Sequence, residues 1–173
     1  MALLQCLKRI SRLDAPAKER KISMSISHTK NCALAACLLS QAKCNLGVDI
    51  EDKNREINVQ AVKKVFLKET FNDNEIDLEK WMMKESAYKS ITMNNKLRLF
   101  DIEIIKNNNS ETGFSARYLN NFIDFNIFII DGFLCSLAFN NLKRGKIGKA
   151  KWSSEVVCKA KRGSRMNYTD EQI

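Results

Sequence analysis

The sequence predicts an α+β domain in which an antiparallel sheet packs against two main helices. Three observations carry that expectation. Period-two strands lie at both ends of the central region, two stretches of helical spacing lie between them, and an Asp-Gly pair marks a hairpin near the end.

The elements follow in order. ISMSIS (22–27) alternates apolar and polar residues, as a half-buried strand does. CALAACLL (32–39) is a short apolar run followed by SQAKCN, a turn, and LGVDIE (46–51) reads as the returning strand. VQAVKKVFLKE (59–69) places apolar residues at 59, 62, 65 and 66, a helical spacing. NDNEID then supplies capping residues for a second helix over roughly 76–91. LRLFDIEII (97–105) returns to period two, NNNSETG is a turn, and FSARYL is a short strand. FIDFNIFII and FLCSLAF, joined by Asp131-Gly132, form the hairpin. From Lys143 onward charges are many and periodicity is slight, which reads as a mobile tail. The chain thus divides into a basic N-terminal segment (1–22), a domain (23–141) and a basic C-terminal tail (142–173).

The net charge of +9 sits at the ends: the three segments carry +4, −1 and +6 when the boundaries are taken at residues 22 and 141. Basic ends suit an acidic partner, whether a phosphate-rich ligand, nucleic acid or an acidic protein; the alternative is a solubilising tail. No run of 18 apolar residues occurs, and MALLQCLKRI is charged too early for a secretion signal. Six cysteines without a CxxC pair, beside a single histidine, argue against a zinc site and for reduced thiols in a cytoplasmic protein.

Two constellations can carry chemistry. Asp49 and Glu51 stand two apart on a strand and share a face, where they repel unless a cation or protons intervene. In WMMKESAYK (81–89), Trp81, Glu85 and Tyr88 share a helix face, with Lys89 beside them. That face continues the apolar stripe of Leu78 and Met82, so it is expected to meet the core, and an unpaired carboxylate there needs compensation. Lys89, one turn on, would make it a structural ion pair. A divalent cation shared with the strand acids would make it a metal site, and three carboxylates suit Mg²⁺. Ser27 and His28 end the first strand, where they could bind an anion; a purely structural histidine is the other reading.

SISH, GVDIE and WMMKESAYK, in that order, resemble the motifs of the 4′-phosphopantetheinyl transferases, in particular the surfactin-synthetase-type group. The family's Ser-His, G-(I/V)-D-(I/V)-E and W-x-x-K-E-(S/A)-x-x-K patterns match at Ser27-His28, Gly47 to Glu51, and Trp81, Lys84, Glu85, Ser86 and Lys89. The likeness spans roughly residues 22–141. It implies a phosphopantetheinyl-transferase-like lobe that moves the 4′-phosphopantetheine group of coenzyme A onto a serine of an acidic carrier protein, releasing 3′,5′-ADP. In that reading Asp49, Glu51 and Glu85 hold Mg²⁺, and Glu85 and Lys89 are catalytic. Ser27, His28, Lys84 and Lys89 contact coenzyme A. Only 26 residues precede Ser27-His28, so the first half of two-lobed members is expected to have no counterpart here. Self-association or a partner is then expected to complete the cleft, with Arg20 and Lys21 standing in for basic residues of that half. SITMNNK replaces the glycine-containing stretch expected after Lys89. The competing reading is a non-catalytic relative that binds an acidic partner or, less in keeping with its few tail aromatics, nucleic acid.

Overall fold

A computed structural model describes residues 21–40, 44–91, 97–141, 155–160 and 165–168. It is a mixed helix-and-sheet fold. β1 (Lys21–His28) and β2 (Cys32–Ser40) form a hairpin, in register from Lys21 opposite Ser40 to His28 opposite Ala33. Its turn is closed by Thr29, whose amide donates to the Cys32 carbonyl at 2.8 Å and whose hydroxyl accepts from the Asn31 and Cys32 amides. β3 (Cys44–Asp52) leads to the helical region. There α1 (Val59–Val62), N-capped by the Asn58 side chain, passes into a 3₁₀ turn over Lys63–Phe66. α2 (Leu78–Ile91) is the long helix. β4 (Glu103–Lys106), β5 (Phe114–Tyr118), β6 (Asn121–Ile130) and β7 (Phe133–Asn141) follow.

β3, β7, β6, β5 and β4 make a five-stranded antiparallel sheet in that order. The predicted β6–β7 hairpin is present. Asp131 and Gly132 both take positive φ, at 49° and 83°, the backbone that lets a two-residue turn match the strand twist. Among the described residues no helix is long and apolar enough to cross a membrane.

Three expectations are corrected. The 59–69 stretch is one α-turn and a 3₁₀ turn rather than a full helix; its helical spacing is built from valines, which are poor helix formers and too few here to sustain several turns. The 97–105 stretch begins as a 3₁₀ turn over Leu99–Asp101, held by the Asp101 carboxylate accepting from the Arg98 amide at 3.0 Å, and becomes a strand only at Glu103. Within the segment read as a tail, β8 (Glu155–Ala160) pairs with β2 and β9 (Arg165–Tyr168) pairs with β8. The second sheet therefore runs β1-β2-β8-β9. CKAK and RMNY do alternate apolar and polar residues, but the runs are short and set among many charges, so their period-two signal is easily passed over.

Two cores result. Leu34, Ala36 and Leu38 of β2 meet Leu46, Val48 and Ile50 of β3 with Cys135 and Leu137 of β7. Met83, Ala87 and Ile91 of α2 meet Phe66, Ile102, Ile104, Ile123 and Phe125.

β1 lies against β3 in an unexpected sense. Its serines face inward: Ser23 Oγ accepts from the Leu46 amide at 2.9 Å and Ser25 Oγ from the Val48 amide at 3.0 Å. Ile22, Met24 and Ile26 stay about half exposed, at 49%, 46% and 54%. β3 is an edge strand whose outer amides need acceptors, and hydroxyls provide what isoleucine cannot.

Candidate functional site

The site is built where α2 crosses β3, and a glycine sets the distance. A Cβ added at Gly47 would collide with the Ser86 carbonyl oxygen and stand 2.6 Å from the Ser90 nitrogen. Only glycine admits the helix this close. The contact is lined by small polar residues. Ser86 Oγ lies 2.8 Å from Ser136 Oγ of β7 and donates to the Met83 carbonyl at 3.1 Å, while Ser90 Oγ donates to the Ala87 carbonyl at 2.7 Å. Asn140 Nδ2 donates to the Ser90 carbonyl at 3.5 Å. The glycine of GVDIE and the serine of KESAYK are thus the two halves of one packing contact.

This close crossing turns the helix differently from the expected stripe. Met82, Met83, Ser86, Ala87 and Ser90 are buried, and Trp81, Glu85, Tyr88 and Lys89 lie on its half-buried flank. Trp81 and Tyr88 still pack against the core from that flank.

Lys89 reaches across to β3 and β1. Its Nζ donates to Asp49 Oδ1 at 2.7 Å and to Ser27 Oγ at 3.0 Å, and Ser27 Oγ itself donates to Asp49 Oδ1 at 2.7 Å. Glu85 Oε2 lies 3.8 Å from the same ammonium. Three separate segments therefore converge on one charged cluster. Asp49 is nearly sealed, its side chain 3% exposed, whereas Lys89 and Glu85 keep 27% and 30% of theirs. Oδ2 of Asp49 has no hydrogen-bond partner among the described residues. Burial pushes the Glu85 carboxyl above its ordinary range; Asp49 and Glu51 reinforce the shift, and Lys89 and Arg55 oppose it.

Glu51, the third acid, accepts from Arg55, four residues on. Arg55 was not anticipated from the sequence; the acid–base spacing of four in EDKNR was its only signal. Ser136 was also missed, although it sits opposite Asp49 in the β3–β7 register.

Two expected ligand residues lie apart from the cluster. Lys84 is sealed beneath the helix, paired with Glu69, its ammonium 4.5 Å from the Phe66 ring centroid. His28 is exposed: the alternation that turns Ser27 inward turns it outward with Ile22, Met24 and Ile26. Arg20 and the Lys21 side chain lie outside the described residues.

Among the described residues no group of three or more His, Cys, Asp and Glu side chains is gathered tightly enough to hold a metal ion. Lys89 occupies one oxygen of Asp49, and Arg55 occupies Glu51. The donor set nonetheless suits a hard divalent cation: three carboxylates, of which Asp49 and Glu51 both act on Glu85, and Asp49 has an unpartnered buried oxygen. No family model matches the chain, and no curated protein matches it.

Proposed function

We propose that the chain is an Mg²⁺-dependent 4′-phosphopantetheinyl transferase that moves the phosphopantetheine group of coenzyme A onto a serine of an acidic carrier protein. The observation that carries this reading is the meeting of Ser27, Asp49, Glu85 and Lys89, drawn from three motifs 62 residues apart at their extremes, in one cluster in which Ser27, Asp49 and Lys89 are hydrogen-bonded and Glu85 is ion-paired to Lys89. Separately each motif has an ordinary structural explanation; together they supply acid, base and cation at one place.

Asp49, Glu51 and Glu85 would hold the Mg²⁺. Held there, a divalent cation would supply charge neutralisation on the diphosphate of coenzyme A. The protein's own groups do the rest. Lys89, on a flexible stem and held between two carboxylates, meets the phosphate oxygens as a point charge. Ser27 lies within hydrogen-bond reach of that ammonium and assists in orienting it. Glu85, partly exposed, accepts the proton of the carrier's serine hydroxyl directly or through a water. The serine oxygen forms a bond to the phosphorus that carries the pantetheine, the bond from that phosphorus to the bridging oxygen breaks, and 3′,5′-ADP leaves with the electron pair. Positioning and charge neutralisation carry most of such a transfer. His28, outside the cluster, and Lys84, sealed against Glu69, have less claim to coenzyme A than Ser27 and Lys89.

Glu85→Ala is expected to abolish coenzyme A-dependent labelling of carrier protein, with circular dichroism unchanged. If the native chain with Mg²⁺ labels no member of a broad carrier panel, the reading fails.

A further inference from the structure

Arg55 belongs to none of the motifs, yet it is the second cation of the cluster. It sits just beyond β3, bonds Glu51, and acts electrostatically on Glu85 and Asp49 as well. The two cations are held differently. Lys89 is tied to Ser27, Asp49 and Glu85, with 27% of its side chain exposed. Arg55 has 48% of its side chain exposed and bonds one carboxylate of the three. A guanidinium cannot give up its charge at any ordinary pH, so it can leave the acids only by moving.

We propose that Arg55 is an internal counterion that occupies the carboxylate cluster when no divalent cation is bound and must swing off Glu51 for one to bind. The inference rests on the transferase reading only for the identity of the cation site. With all groups ionised, three carboxylates against Lys89 and Arg55 leave one net negative charge. Replacing Arg55 by a neutral residue leaves two, and a dication gains from the difference. Arg55 thereby sets the affinity of the site from the unfavourable side, which keeps the acids compensated in the free protein and their cation exchangeable.

The test is direct binding of Mn²⁺, followed by calorimetry and by its electron paramagnetic resonance signal, on the full chain and its Arg55→Gln, Arg55→Lys and Asp49→Asn variants. Arg55→Gln is expected to tighten Mn²⁺ binding by about tenfold. Arg55→Lys should fall between, since it keeps the charge but loses the planar fork. Asp49→Asn should lose the binding. If Arg55→Gln binds no more tightly than the native chain while Asp49→Asn loses binding, the counterion role is overturned and the cation site stands. If neither the native chain nor Arg55→Gln binds Mn²⁺, both fall.

Discussion

Lys84 and Glu85 are neighbours in sequence and opposites in environment. Lys84 pairs with Glu69 in a site where both side chains are fully buried, roofed by the Phe66 ring and further tied by Glu69 accepting from the Ile104 amide at 2.9 Å. Glu85, about 100° round the helix, joins a cluster whose lysine and glutamate each keep more than a quarter of their side chains in water. Both are lysine–carboxylate arrangements on one helix. The sealed one has nothing to exchange with solvent and ties the 59–69 segment to α2 and β4. The open one holds charges that a ligand can reach. A charged motif residue earns a functional role only where solvent or substrate can get to it.

The largest expected effect breaks the sealed pair. Glu69→Ala leaves Lys84 buried without its partner, and burial already pushes its ammonium below the usual lysine range. Loss of one member of such a pair should cost about 3–5 kcal/mol in denaturant unfolding. The double variant Glu69→Leu, Lys84→Met should recover most of it. The open cluster should respond in the reverse sense. Glu85 carries a raised carboxyl, so the fold gains from it as pH falls toward the ordinary glutamate range and is opposed by its charge above that. Glu85→Gln at neutral pH is therefore expected to leave stability unchanged or slightly raised, by at most about 1 kcal/mol given its exposure. If Glu69→Ala and Glu85→Gln prove equally costly, the two sites do not differ in kind.

Next in size is the contact that seats α2 on β3. Gly47→Ala drives a methyl into helix backbone at Ser86 and Ser90, which cannot rotate aside as a side chain would. About 2–3 kcal/mol of destabilisation is expected, at the upper end for overpacking. Because the helix must move off β3, Lys89 and Asp49 should also separate, and labelling should fall further than stability alone explains. A fully active, fully stable Gly47→Ala chain would remove the glycine from the account.

Much of this was legible in the sequence. Asp49, Glu85, Lys89 and Ser27 announced themselves by type and spacing, and the hairpin at Asp131-Gly132 by its turn chemistry. What was not legible depends on contacts between distant segments. Helical spacing places Lys84 on a face, but only the fold of the 59–69 segment decides that Glu69 and Phe66 close over it. Likewise, hydropathy orients a strand by assuming the apolar side is buried, and in β1 that assumption inverts the strand.

β1 gives the smallest and most diagnostic effect, because it separates a strand held by hydroxyls from one held by apolar burial. Ser25 is nearly buried, and its Oγ is the acceptor for the Val48 amide on the outer edge of β3. Ser25→Ala should leave that amide unpaired at a cost of about 1–2 kcal/mol, although it makes the strand more apolar. The Val48 amide should then exchange with solvent faster than its neighbours in β3. Ser25→Thr keeps the hydroxyl and should restore much of the loss. Ile26→Ser, on the half-exposed face, should cost less than Ser25→Ala. The reverse ranking would mean that the outer face of β1 is covered in solution, and that the hydroxyl ladder is incidental to how β1 is held.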